Sequence, residues 1–206
     1  RSLFWPPDPT SAPYCSIGGN IACNAGGPRA VKYGATRDNV LALTAVAGHG
    51  ELLRFGAATS KASTGYDLSR LLIGSEGTLA LIVEATLRLV PVAPQRRVLR
   101  ALYRDVDSAA QAVSRLMAQP VTPSMLEFMD ADCVRLARDA GGAVLPEAGA
   151  LLMIEADGDG RSLDDAVTAL RRAAEGEGCL EALDAVDAAQ SEALWAARKA
   201  LSPALR

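Results

Sequence analysis

The sequence predicts an α+β protein in two parts, and three observations carry that prediction. In the first part, a glycine-rich stretch from Ser16 to Gly34 is followed by a hairpin signal and then by a run of period-2 alternation. In the second part, from Val98 onward, short apolar runs of strand length alternate with Ala-rich helical patterns. Units of that size predict helices packed on one face of an antiparallel sheet. Between the two, the glycine-rich turns stop at Pro91 to Arg97, which puts the boundary there and gives domains at 1–94 and 95–206.

The elements follow in order. Leu3, Phe4 and Trp5 are apolar from the outset and no initiator Met precedes them, so the start reads as an interior cut. Pro6, Pro7 and Pro9 then force an extended path around Asp8. The stretch S-I-G-G-N-I-A-C-N-A-G-G-P-R-A-V-K-Y-G at 16–34 holds two Gly-Gly pairs beside asparagines, with nothing expected to fill a core. Glycine without Cβ allows close approach of backbone to a ligand, so this stretch reads as a cradle for something polar. Val40–Val46 and Glu51–Arg54 form a hairpin across Gly48-His49-Gly50, with His49 a turn residue rather than a base. Thr64–Gly74 reads as a short helix with Leu68, Leu71 and Leu72 inward and Gly74 as its stop. After the turn Gly74-Ser-Glu-Gly-Thr78, Val83, Ala85, Leu87 and Leu89 alternate with Glu84, Thr86 and Arg88 as one face of a strand.

In the second part, Val98–Tyr103 is a strand, and 106–117 is a helix with Ala109, Val113 and Leu116 inward. A strand at Met125–Met129 precedes a helix over 130–140, and a strand at 148–155 precedes a helix over 162–176 with Ser162 as its N-cap. Ser191–Leu201 is helical again.

Composition excludes several functions. Half of the 206 residues are hydrophobic and 22% are charged, which is the balance of a soluble globular protein. A net charge of −3 without like-charge blocks, and an aromatic content of 4%, give no footing to nucleic acid. No apolar run approaches the roughly 20 residues that span a bilayer. The opening residues lack the shape of a signal peptide, so a cytoplasmic location is expected. Cys15, Cys23, Cys133 and Cys179 show no C-x-x-C spacing and His49 is the sole histidine, so free thiols are expected and a metal site is not.

Five motifs in order then carry a resemblance: P-P-D-P-T-S at 6–11, C-S-I-G-G-N-I-A-C-N-A-G-G at 15–27, K-Y-G at 32–34, S-T-G-Y-D-L at 63–68 and G-S-E-G-T-L at 74–79. Together they resemble the FAD-linked oxidases of the vanillyl-alcohol oxidase type, in the branch of the glycolate oxidase D-subunit, D-lactate dehydrogenase and D-2-hydroxyglutarate dehydrogenase. The resemblance implies a second FAD-binding subdomain followed by part of a ferredoxin-like substrate cap. It implies that Pro7, Asp8, Ser16, Gly18, Gly19, Asn20, Cys23, Asn24, Ala25, Gly26, Tyr33 and Gly34 run along the flavin, and that Glu76, Gly77, Ile82 and Val83 hold the adenosine side through backbone contacts. A pyrophosphate needs close N–H donors, which glycines supply, and flat rings need slots lined by small residues such as Ala22 and Ala25. One departure is G-T-L-A-L-I-V-E where the family usually reads G-T-L-G-I-I-T-E, so that Ala80 is expected to add a methyl near the cofactor.

In the second part, Leu194-Trp-Ala-Ala-Arg198 is similar to the family's L-W-x-x-R, whose arginine grips the substrate carboxylate. This implies substrate binding by Arg198, with Ser202 as a companion and Trp195 as packing. The implied reaction is oxidation of a small D-2-hydroxy acid to the 2-oxo acid, with electrons passing to a quinone or a redox partner protein. A homo-oligomer is left open. The family's first FAD subdomain and its histidine-rich metal motif have no counterpart here, so the chain reads as an internal fragment, inactive alone, without a catalytic residue of its own and with its cofactor not retained. A Rossmann NAD site is excluded by the absence of G-x-G-x-x-G after a strand. The alternative from another class is a non-catalytic binding or interaction module with a vestigial flavin pocket.

Overall fold

The computed structural model describes residues 2–59, 61, 63–139, 146–185, 189–192 and 194–195. The chain forms two compact units, Arg1–Val92 and Ala93–Arg206.

In the first unit, strands β1 (Leu3–Phe4), β2 (Val40–Ala47), β3 (Leu52–Gly56), β4 (Ala80–Leu87) and β5 (Val90–Pro91) accompany helices α1 (Ile17–Cys23), α2 (Ala30–Tyr33) and α3 (Leu68–Leu72). A 3-10 turn at Thr36–Asn39 leads into β2. The order β3-β2-β4 makes an antiparallel sheet, and β1 pairs with β5 alone. Val46 opposite Leu52 sets the hairpin register, as expected from the turn residues between them. The sheet and α1 share a core of Ile21, Val40, Leu43, Ala45, Leu72, Ile73 and Ala80.

Two details of this unit differ from the sequence reading. In β4 the apolar alternation does not run from Val83, because Thr44 faces Glu84 while Ala45 faces Ile82, leaving Val83 as the extra residue of a β-bulge. The bulge slips the phase: Ile82, Ala85 and Leu87 pack on the core while Val83 is 55% exposed. In α3, Asp67 accepts the Arg70 N–H at 3.2 Å and so starts the helix late, at Leu68. Leu72 and Ile73 are therefore the buried pair, and Leu68 and Leu71 are 41% and 61% exposed.

The second unit contains β6 (Gln95–Tyr103), α4 (Val106–Ala118), β7 (Met125–Asp130), α5 (Ala131–Asp139), β8 (Ala150–Gly158), α6 (Gly160–Ala174) and β9 (Cys179–Asp184). Its sheet runs β7-β8-β6-β9, antiparallel throughout, which is the strand order of a ferredoxin-like βαββαβ fold with α5 added. Every second residue of β6 and β8 faces α4 and α6, where Leu99, Ala101, Tyr103, Leu152 and Ile154 meet Ala109, Leu116, Leu163 and Leu170. The other face is also covered: Val98, Leu102, Leu151 and Met153 pack with Val134 and Ala137 of α5 and with Leu194. The sheet is thus packed on both faces rather than on one.

β9 is an element that apolar patterning does not disclose. It is an edge strand carrying Glu181 and Asp184, with a register slip opposite Tyr103. Charges hold it in place: Arg171 donates to Asp184 at 2.8 Å and to the Ala182 carbonyl at 3.1 Å, and the buried Arg100 pairs with Glu181. The N-cap of α6 is Asp159 rather than Ser162, whose hydroxyl donates to the Asp159 carboxylate at 2.7 Å. Asp105 caps α4 by accepting the Ser108 N–H at 2.8 Å.

Candidate functional site

The candidate site is built in the first unit from two segments far apart in sequence. Ser16 is the N-cap of α1, its hydroxyl accepting the Gly19 N–H at 3.0 Å. Gly18 and Gly19 lie inside the helix, so this part of the glycine-rich stretch is helical rather than a loop. Nor is the stretch free of core residues, since Ile21 is 2% exposed. At the other end, Asn24 adopts the left-handed conformation at φ 50° and closes the helix, its N–H bonding to the Asn20 and Ile21 carbonyls.

The second segment completes that helix end. Gly74 and Glu76 donate their backbone N–H groups to the carbonyls of Ile21 and Ala22, each at 3.0 Å. These are carbonyls of the kind that a helix C-terminus leaves without an internal partner. Gly74 takes φ +86°, and a Cβ there would come 3.0 Å from Asn24 Cβ. Glu76 sits at φ 52°, a costly conformation for a residue with a side chain.

The remaining sequence-predicted residues of the first unit occupy several different positions in it. Pro7 is buried, and Asp8 accepts the Arg29 N–H at 3.1 Å. A Cβ on Gly27 would lie 2.1 Å from the Asp8 carbonyl oxygen, so Gly27 serves the close approach of two chain segments. A Cβ on Gly26 would meet only Ala35 and Ala30 at ordinary van der Waals distance, and the Ala25 carbonyl accepts the Thr36 hydroxyl at 2.7 Å. Tyr33 meets Phe4 edge to face at 5.6 Å and is followed by Gly34, which packs on Asp38. Cys23 is exposed at the end of α1, and Gly77 is exposed beyond Glu76. Ile82 is half-buried against the core while Val83 faces outward in the bulge, so the two are not equivalent. Ala80 is 6% exposed and packs in the core of the first unit. Arg198 and Ser202 lie outside the described residues.

Sequence reasoning missed Arg37. Its backbone N–H donates to Asn24 Oδ1 at 2.9 Å, and its Nη2 donates to the Ile73 carbonyl at 3.3 Å. No carboxylate among the described residues pairs with it, its Nε is buried without a partner, and the same holds for the hydroxyl of Ser75. The available signal was the charged pair after K-Y-G-A-T, which falls where a tight turn enters β2. A cleft of about 490 Å³ in the first unit is lined by Asp38, Leu41, Gly56, Tyr66, Asp67 and Arg70 among others. Its Arg70 is already balanced by Asp38 and Asp67, each at 3.2 Å.

Chemically, the junction offers an uncompensated cation and buried polar atoms without partners, set between glycine-containing segments. This fits a site that receives a polar, anionic group. Among the described residues no cluster could hold a metal ion, and the four cysteines are free thiols. No helix is long and apolar enough to cross a membrane. His49 pairs with Glu51 at 2.9 Å on the exposed hairpin tip, as a turn residue.

Comparison with known proteins gives the class to which this fold belongs, with FAD as cofactor. A family described as FAD binding domain matches residues 1–56, and one described as FAD linked oxidases, C-terminal domain, matches residues 92–206. The chain belongs to the FAD-linked oxidases. It is 45% identical over 159 residues to the glycolate oxidase subunit GlcD of Bacillus subtilis, covering 77% of this chain and 34% of that protein. It is 37% identical to the D-lactate dehydrogenase of Anaerostipes hadrus, covering 100% of this chain and 45% of that one. A D-2-hydroxyglutarate dehydrogenase of Xanthomonas citri is 46% identical over 119 residues, 58% of this chain and 25% of that protein. The chain therefore spans less than half the length of these relatives. Among solved structures, an alkyldihydroxyacetonephosphate synthase shares the fold over the whole chain and 40% of its own, with a TM-score of 0.74 at 20% identity.

Proposed function

We propose that the protein oxidises a small D-2-hydroxy acid to the corresponding 2-oxo acid. The observation that carries this reading is the agreement of three relatives, whose names specify glycolate, D-lactate and D-2-hydroxyglutarate, all 2-hydroxy acids. Bound FAD would supply the two-electron acceptor, taking the hydride from the substrate carbon while a base takes the hydroxyl proton.

The residues of this chain hold and orient. In this reading residues 1–94 form the flavin-binding domain, in which Ser16, Asn20, Asn24 and the glycines of α1 present backbone and amide groups to the cofactor. Glu76, Gly77, Ile82 and Val83 contribute the second strip of backbone. Residues 95–206 form the substrate cap, with Arg198 fixing the carboxylate by a bidentate pair and Ser202 beside it. Four free thiols suit a reducing cytoplasm, and electrons would leave to a quinone or a redox partner protein.

The test is anaerobic titration of the FAD-loaded protein at the full length of its relatives, with D-lactate, D-2-hydroxyglutarate and glycolate, followed at the visible flavin band. Bleaching by at least one acid is expected. A protein that takes up no FAD, or a bound flavin that none of the 2-hydroxy acids reduces, would sink the reading.

A further inference from the structure

We propose that Arg37 is a positioning residue of the flavin site, a clasp that fixes the distance between the Asn24 end of α1 and the turn that begins at Gly74. The inference rests on the reading that these two segments line the FAD site.

Arg37 engages both segments at once and by different means. Its backbone N–H is held by the Asn24 side chain at 2.9 Å, and its guanidinium reaches across to the Ile73 carbonyl at 3.3 Å, immediately before Gly74. The side-chain bond thus ties the turn's position to that of Asn24, whose left-handed backbone already closes α1. The two backbone bonds from Gly74 and Glu76 to α1 run beside it. Removing the guanidinium leaves those bonds in place but frees the turn to rock about them.

The electrostatics argue against a role in stability alone. The adjacent carboxylate, Asp38, pairs with Arg70 rather than with Arg37. With no acidic partner among the described residues and a buried Nε that bonds to nothing, Arg37 is a poor choice for stabilising the fold. A neutral donor would serve that end better. A cation here suits a place where an anionic cofactor is received, and its fork holds the Ile73 carbonyl with one nitrogen while its Nε is left without a partner.

The experiment uses the protein at the full length of its relatives and compares wild type with Arg37→Met and Arg37→Lys, measuring the FAD dissociation constant by quenching of flavin fluorescence and the melting temperature of the apoprotein. Arg37→Met is expected to weaken FAD binding about tenfold because the turn is no longer held at the receiving distance, with a smaller drop in apoprotein melting for the lost bond to the Ile73 carbonyl. Arg37→Lys keeps charge and a donor, and is expected to weaken binding only roughly threefold. FAD binding by Arg37→Met at wild-type affinity overturns the proposal, as does weakening that the two variants share equally. Should Arg37→Met not fold, Arg37→Lys decides alone: weaker FAD binding with intact melting supports the clasp, and wild-type binding overturns it. A wild-type protein without affinity for FAD sinks the flavin reading itself, an outcome separate from any difference between variants.

Discussion

The backbone N–H of Gly74 reaches the carbonyl of Ile21 across 3.0 Å, joining the second glycine-containing segment to the end of α1. Gly74 makes this bond from φ +86°, with Asn24 Cβ against it. Gly74→Ala therefore combines an unfavourable backbone with a crowded neighbour and is expected to cost about 1–2 kcal/mol. Thermal denaturation of the apoprotein checks the stability, and FAD binding should weaken in step because the turn is displaced. A melting temperature within error of wild type would show that the junction tolerates a side chain.

Gly27 makes the more severe case. Its missing Cβ would overlap the Asp8 carbonyl oxygen at 2.1 Å, and the atom met is backbone, which cannot swing aside. Gly27→Ala must separate residues 8 and 27, with an expected loss of about 1–3 kcal/mol, the usual range for overpacking. Urea denaturation measures it, and a midpoint equal to wild type would mean the two segments already part in solution.

Tyr103 gives a test at alkaline pH. Its hydroxyl is buried and donates to the Ala174 carbonyl at 2.9 Å, and burial, with Cys179 nearby, pushes its pKa well above the ordinary 10.0. A raised value in the folded state means that this contribution is complete below pH about 10 and drains away as pH rises beyond it, because the unfolded chain ionises first. Tyr103→Phe is expected to be less stable by about 1 kcal/mol at neutral pH. The gap should narrow between pH 10 and 12, and a gap that stays constant there would refute the assignment.

Asp105 provides the opposite sign. Hydrogen bonds from Ser108, and the neighbouring Arg104, hold its pKa down to about 2 from an ordinary 3.8. The depressed value means that its stabilisation of α4 is full above the ordinary range and is lost as pH falls through about 2. Asp105→Ala should melt earlier than wild type at pH 7, with the two curves converging in acid. Parallel curves down to pH 2 would show that the cap is not ionic.

The second unit is the more legible in sequence because its periodicities are local. Ala109, Ala112 and Leu116 repeat at helical spacing and are all fully buried, and the strands at Val98 and Leu151 are apolar runs of the right length. β9 hides because its hold on the sheet comes from Arg100 and Arg171, partners that no window around Cys179–Asp184 contains. In the first unit, Gly18 and Gly19 argue against helix, and the helix forms because Ser16 caps one end while Gly74 and Glu76 complete the other. The bulge at Val83 inverts the inside and outside of β4 halfway along, which no alternation pattern can announce. For the candidate site, the order of short motifs pointed to its segments, whereas Arg37 took its place only through tertiary bonds to Asn24 and Ile73.

The borrowed helix end has a further consequence for how the first unit is made. α1 has seven residues, two of them glycine, and its last carbonyls are completed by a turn encoded after the whole β2–β3 hairpin. So short a helix does not persist unaided in water. It becomes a lasting structure only when the chain has been synthesised through Glu76 and has folded back. Until then the segment is an open stretch of glycine, polar and apolar residues, and its completion depends on contacts distant in sequence.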